Sequence, residues 1–151
     1  MKLKYMLIVL VIALLLFLGY SNNNLSVTGN TVIDNPIFVE VDKLEIYHFH
    51  GTQQCASCKA VGAYAEETVS TYFADELNSG EIVFDHINID LPENRDLVIK
   101  YGATGASLWL GVYDGKEFMA EENVNVWYKI KDKEDYMNYL KGVIEQKLAG
   151  E

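Results

Sequence analysis

Two cysteines three residues apart, Cys55 and Cys58, close the stretch LEIYHFHGTQQCASCK from Leu44 to Lys59, where a short alternating apolar run and a glycine turn lead into a helix-like pattern. A cysteine at the first turn of a helix meets unpaired backbone N–H groups and the positive end of the helix dipole, which favour thiolate over thiol. Cys55 is therefore the expected nucleophile. Residues three apart share a helical face, so the Cys58 sulfur can reach Cys55 without backbone movement, as a resolving thiol must. The same spacing is half of a zinc site, but no second CxxC and no HxxxH completes one. A purely structural disulfide, or two inert buried thiols, would use the same residues.

The elements that must hold these cysteines follow from hydrophobic period. Glu45 to Phe49 reads as a central strand with apolar residues on both faces, as expected of a strand covered on both sides. From Ala56 to Asn78 the period becomes helical, with Val61, Ala65, Val69, Tyr72, Phe73 and Leu77 on one side, and Asn78-Ser79-Gly80 supplies the stop. Ile82 to Ile89 alternates again as a second strand. Leu91 to Asn94 is a turn, and Asp96 to Tyr101 makes a short helix ended by Gly102. Ser107 to Tyr113 reads as a third strand entering a hairpin at Asp114-Gly115, with Lys116 to Ala120 returning. Glu121 to Lys131 reads as irregular, and Lys133 to Leu148 as a closing amphipathic helix. Trp109 and Trp127 are expected as core or rim aromatics. The order β-α-β-α-β-β-α implies early parallel pairing through a right-handed crossover and an antiparallel edge at the end.

The formal charge is −10, and Lys2 and Lys4 are the only charges before Asp34, so everything downstream carries −12. That acidity, without basic clusters interleaved with aromatics, excludes nucleic acid as an expected partner. Lys2 and Lys4 precede an uncharged, almost wholly apolar run from Tyr5 to Tyr20. Its length lies between a signal-peptide core and a full membrane span of about 20 residues. An uncleaved membrane anchor over residues 1–21 is favoured, with a cleaved signal and a secreted or periplasmic product as the alternative. Positive charge on the N-terminal side keeps that end cytoplasmic and places the cysteines outside the cytoplasm, at the cell membrane, on a single-pass chain. Residues 22–36, rich in Asn, Ser, Thr and Gly, read as a polar tether, and residues 37–151 as one domain. Ile37 to Val41 alternates weakly and would add a fifth, edge strand.

Over Leu44 to Leu148, about two-thirds of the chain, the sequence resembles the thioredoxin superfamily. Cys55-Ala-Ser-Cys58 matches its active-site motif, Ile87-Asn88-Ile89-Asp90 resembles the end of its next strand, and Tyr101-Gly102-Ala-Thr-Gly105 resembles the loop facing the cysteines. Phe49-His50-Gly51 followed by CxxC is also similar to an ArsF-type group bearing a nitroreductase-subunit label ("nitrophenyl compound nitroreductase subunit"). The resemblance implies a three-layer α/β/α sandwich around a mixed four-stranded sheet, five-stranded with the added edge, here preceded by a membrane helix. It also implies no cofactor beyond a redox-active Cys55–Cys58 disulfide. Three features depart from the superfamily pattern. Gln54 replaces a tryptophan and Ala56-Ser57 replaces Gly-Pro before the second cysteine. The superfamily's cis-proline falls at about Ser107, where a cis bond would cost roughly 3 to 4 kcal/mol, so a trans peptide is expected and the Ser107 hydroxyl is a candidate donor to a thiolate. His48 aligns near a buried acidic residue and, if buried beside the site, would carry protons to and from Cys58. A satisfied core histidine is the plainer reading of His48 and of His86; His50, just before the glycine loop, is the better site candidate. Lys59 is a candidate to stabilise a thiolate, although a surface lysine is usually solvated.

Two functions fit these residues. One is a membrane-tethered thiol-disulfide oxidoreductase acting on protein or small-molecule disulfides, recharged by a membrane redox partner. The other is a metal-handling module in which Cys55, Cys58 and His50 hold Cu(I) or Zn(II), with a scaffold role in a membrane complex behind it.

Overall fold

The computed structural model describes residues 41–150. The leader, the tether and all but the last residue of the added edge strand lie outside them. Among the described residues no helix is long and apolar enough to cross a membrane.

The elements run β1 (Lys43–His50), α1 (Ala56–Tyr72), α2 (Ala74–Ser79), β2 (Ile82–Asn88), a 3-10 turn (Pro92–Asn94), α3 (Arg95–Tyr101), β3 (Ser107–Asp114), β4 (Glu117–Glu122), α4 (Val126–Lys129) and α5 (Lys133–Leu148). The described strands form one sheet in the order β2-β1-β3-β4. β1 runs parallel to β2, which requires the crossover through α1 and α2, and antiparallel to β3; β3 and β4 form the hairpin.

Alternation along β1 divides the domain into two cores. Leu44 and Ile46 pack with Val61, Ala65 and Val69 of α1 and with Tyr136, Leu140 and Ile144 of α5. Tyr47 and Phe49, on the other face, pack with Ile87, Tyr101 and Ala103 at the α3 side. Helices thus cover both faces of the mixed sheet, and β1 is buried almost throughout. The left-handed conformation of Gly102, φ 70°, ends α3 and lets its N–H return to the last turn.

Two expectations need correcting. The helix read as continuous from Ala56 to Asn78 breaks at Phe73, where φ −133° and ψ 36° leave helical geometry. The Phe73 ring is buried in the same core as Val69, and Asp75 and Glu76 then open a new first turn, where carboxylates suit a helix N-terminus. The stretch read as irregular contains α4, anchored by fully buried Val126 with Trp127 packed against the core. Four residues are too few to show a helical period.

Glu45 is a buried charge inside β1. Burial alone would push its carboxyl up, but hydrogen bonds from Lys43, Tyr101, Tyr113 and Lys100 outweigh it and hold the pKa at about 2. The Tyr101 and Tyr113 hydroxyls donate to Oε2 at 2.8 and 2.9 Å, the Lys100 ammonium reaches it at 3.2 Å, and Lys43 donates to Oε1 at 2.7 Å. This carboxylate therefore joins β1, β3 and α3 on the face away from the histidines.

Candidate active site

Cys55 is the N-cap of α1, with extended backbone (φ −72°, ψ 165°), and its sulfur accepts the main-chain N–H of Cys58 at 3.1 Å. No acidic residue occupies the first turn to oppose a negative sulfur. The two cysteines form a disulfide with Cα atoms 5.1 Å apart. Cys55 is exposed and Cys58 half-buried, so an incoming sulfur meets Cys55 first.

The loop before Cys55 is fastened to the end of β2. Thr52 donates its main-chain N–H to Asp90 Oδ2 at 2.7 Å, and Asn88 Nδ2 donates to the Thr52 hydroxyl at 3.1 Å. The bond from the Thr52 main chain, with a further one from its hydroxyl, holds the Asp90 carboxyl below its usual range. Asn88 and Asp90 belong to the motif singled out in the sequence, and their work here is to fix the approach to Cys55.

Beneath α1 lie all three histidines. His48 is 1% exposed, and Gly62 of α1 leaves it room: a Cβ there would fall 2.3 Å from His48 Nδ1. That Nδ1 lies 2.9 Å from Nδ1 of His86, its parallel register partner on β2. His86 Nε2 lies 3.3 Å from Oε2 of Glu66 on α1. His48 Nε2 is buried with no hydrogen-bond partner. Burial pushes the His48 pKa down to about 4, helped by the neighbouring His86 and His50, while the main-chain carbonyl of Cys58 opposes them by favouring a protonated ring. The His50 ring stacks on that of His48 with centroids 5.3 Å apart. These side chains, with Gln54 and Lys59, line an open cleft of about 350 Å³.

His50 Nδ1 faces the Gly51 carbonyl at 2.9 Å and the Gln54 side-chain amide at 3.0 Å, so Gln54 orients this ring. Ser107 is buried and spends its hydroxyl proton on the Gly105 carbonyl at 3.2 Å while accepting from Trp109 Nε1 at 2.8 Å. Its proton is thus committed inside its own loop rather than to a sulfur. Peptide bonds among the described residues are trans, that before Ser107 included. Lys59 is exposed on α1. Among the described residues no three His, Cys, Asp or Glu side chains converge as a metal-binding set. Sequence reasoning did not pick out Glu66, and it treated His86 as a core residue. The signal for His86 was its matching place in the second alternating run, which parallel pairing sets beside His48.

No protein-family model matches the chain, and no curated protein matches it. Among solved structures, it is similar to the zinc-bound form of human ERp44, at 19% identity and a TM-score of 0.45 over 74% of this chain; the chain spans only 30% of that one. It is also similar to the Drosophila melanogaster germline-specific thioredoxin Deadhead, at 18% identity and a TM-score of 0.39, covering 66% of this chain and 79% of that one. A malarial protein aligns at 12% identity and a TM-score of 0.36, over 54% of this chain and 81% of its own. With strands in the order β2-β1-β3-β4, a parallel first pair and a Cys55–Cys58 disulfide seated at the start of α1, the described domain has a thioredoxin-like α/β fold.

Proposed function

We propose that this protein is a thiol-disulfide oxidoreductase, tethered to the membrane by residues 1–21 and working outside the cytoplasm. The observation that carries the reading is the position of Cys55: exposed, capping α1, with its sulfur accepting the Cys58 N–H and bonded to a less exposed partner. A thiolate there attacks a substrate disulfide, forming a mixed disulfide and releasing one substrate sulfur as thiolate. Cys58 then attacks Cys55 Sγ, the mixed bond breaks, and the second substrate sulfur leaves reduced while the Cys55–Cys58 bond re-forms. Run backwards, the same steps oxidise a dithiol. His48, buried under the turn that carries Cys58, serves as the proton acceptor for that thiol.

The apolar run Tyr5 to Tyr20 behind Lys2 and Lys4 supports the tether and its orientation. The substrate is a protein or small-molecule disulfide, and a membrane redox partner resets the couple. A Cys58→Ala variant should trap a mixed disulfide that thiols release, and the C55A/C58A pair should lose disulfide exchange altogether. Equal activity of the double variant and the parent would end the proposal.

A further inference from the structure

When Cys58 attacks the mixed disulfide its thiol proton must go somewhere, and His48, the buried ring beside the Cys58 main chain, is poorly suited to keep it. His48 is 1% exposed, and a charged ring at that depth forfeits hydration. The groups facing it are His50 on its own strand, His86 on β2, the Cys58 carbonyl, Glu66 and Lys59 from α1, and apolar Leu108 as its register partner on β3. Of these, the one in hydrogen-bond contact with the ring is His86, at 2.9 Å between the two Nδ1 atoms. Two nitrogens at that distance hold a single proton between them, so any proton arriving at His48 Nε2 displaces the Nδ1 proton toward His86. His86 stands about one-third exposed with a carboxylate, Glu66, 3.3 Å from its other nitrogen.

We propose that His48, His86 and Glu66 form a proton wire that takes the charge released at Cys58 out of the core and stores it as a His86 imidazolium paired with Glu66. Resting on the oxidoreductase reading, this adds to it where the proton resides between half-reactions. The steps balance. In the reduced protein His48 carries its proton on Nδ1, shared with His86 Nδ1, and His86 carries one on Nε2 toward Glu66. Cys58 gives its proton to His48 Nε2 as its electron pair forms the new bond to Cys55 Sγ. His48 passes its Nδ1 proton to His86, leaving His48 neutral and His86 positive. When a thiolate later attacks Cys55, the pair of the broken S–S bond returns to Cys58 Sγ and the two hops reverse. The buried ring transmits a proton without ever holding a net charge for long. Its pKa of about 4, depressed by burial, fits a carrier rather than a store.

The test uses the reduced full-length chain in detergent and the chromogenic disulfide DTNB, which reads the two sulfurs separately. Attack by Cys55 releases a first thionitrobenzoate, and resolution by Cys58 releases a second. In His86→Ala the first release should keep its rate and the second should slow about tenfold, less than the roughly hundredfold low end for losing a general base outright, because His48 itself remains. Millimolar imidazole, able to enter the open cleft, should restore the second phase. Glu66→Gln, on the exposed face of α1, should slow the second release severalfold without changing the first; it decides the matter if loss of the ring at residue 86 disturbs the first phase too. Parental second-phase rates in both variants, or a slowing that imidazole does not relieve, would overturn the wire. A parent protein that releases no thionitrobenzoate at all overturns the oxidoreductase reading instead, so the two failures are distinguishable.

Discussion

The main-chain N–H of Cys58 points at the sulfur of Cys55 from 3.1 Å, so the helix that carries both cysteines also solvates the reactive one. This bond and the end of the α1 dipole favour the anion. In the reduced protein, the rate of Cys55 alkylation by iodoacetamide should titrate with a midpoint below the value of about 8.5 for a free cysteine. Mass spectrometry of the labelled peptide checks it, and Cys58 should react more slowly throughout. A Cys55 midpoint at or above the free value would remove the helix-end argument.

His48 and Glu45 give the domain a two-stage acid response. His48 is held at about 4, below the ordinary 6.5, so the unfolded chain takes up its proton first as pH falls. Its contribution to stability is complete above pH 6.5 and is lost between there and about pH 4, by at most roughly 3 kcal/mol. Glu45, held at about 2 against an ordinary 4.5, contributes stability that is complete above 4.5 and is lost from there downward. Urea midpoints of the oxidised protein measured from pH 8 to pH 3 should fall in these two stages, and His48→Gln should flatten the upper one.

Gly62 and Gly142 should respond oppositely to alanine. A methyl group on Gly62 would fall 2.3 Å from His48 Nδ1 and 2.6 Å from its Cε1, so Gly62→Ala should cost about 2 kcal/mol and displace the ring from its seat under Cys58. Gly142, inside α5, has nothing within 4 Å of the added carbon, and Gly142→Ala should gain about 0.5 to 1 kcal/mol. Denaturant titration of both variants against the parent reads the signs directly.

Glu45→Ala should cost about 2 to 4 kcal/mol, because it strands the buried Tyr101 hydroxyl and removes the partner shared by Lys43, Lys100 and Tyr113. Those groups lie on the face of β1 opposite His48. The DTNB phases of the folded variant should therefore stay within about twofold of the parent, since sites without shared partners act independently.

The elements that position the cysteines were legible because their signals are periodic or made of turn residues: α5 keeps the bounds that its apolar spacing implied, and Gly102 ends α3 as expected. Phe73 misled because an apolar residue at helical spacing looks alike whether the helix continues or turns its ring into the core. At the site, Cys55 and Cys58 were readable from local chemistry alone. His86 and Glu66 were not, since their roles depend on register between β1 and β2 and on which turn of α1 lies above them. Ser107 shows the converse: its position was anticipated, but the partners that occupy its hydroxyl, Gly105 and Trp109, come from the local shape of the loop.

The two-faced alternation of β1 has an evolutionary cost. Inserting or deleting one residue between Glu45 and His48 would turn the downstream half of the strand over, exchanging His48 and His50 for Tyr47 and Phe49 on the side facing the cysteine helix. A substitution in this strand keeps its register, whereas a change of length can be accommodated without turning the strand over only in the surface turns that join its neighbours.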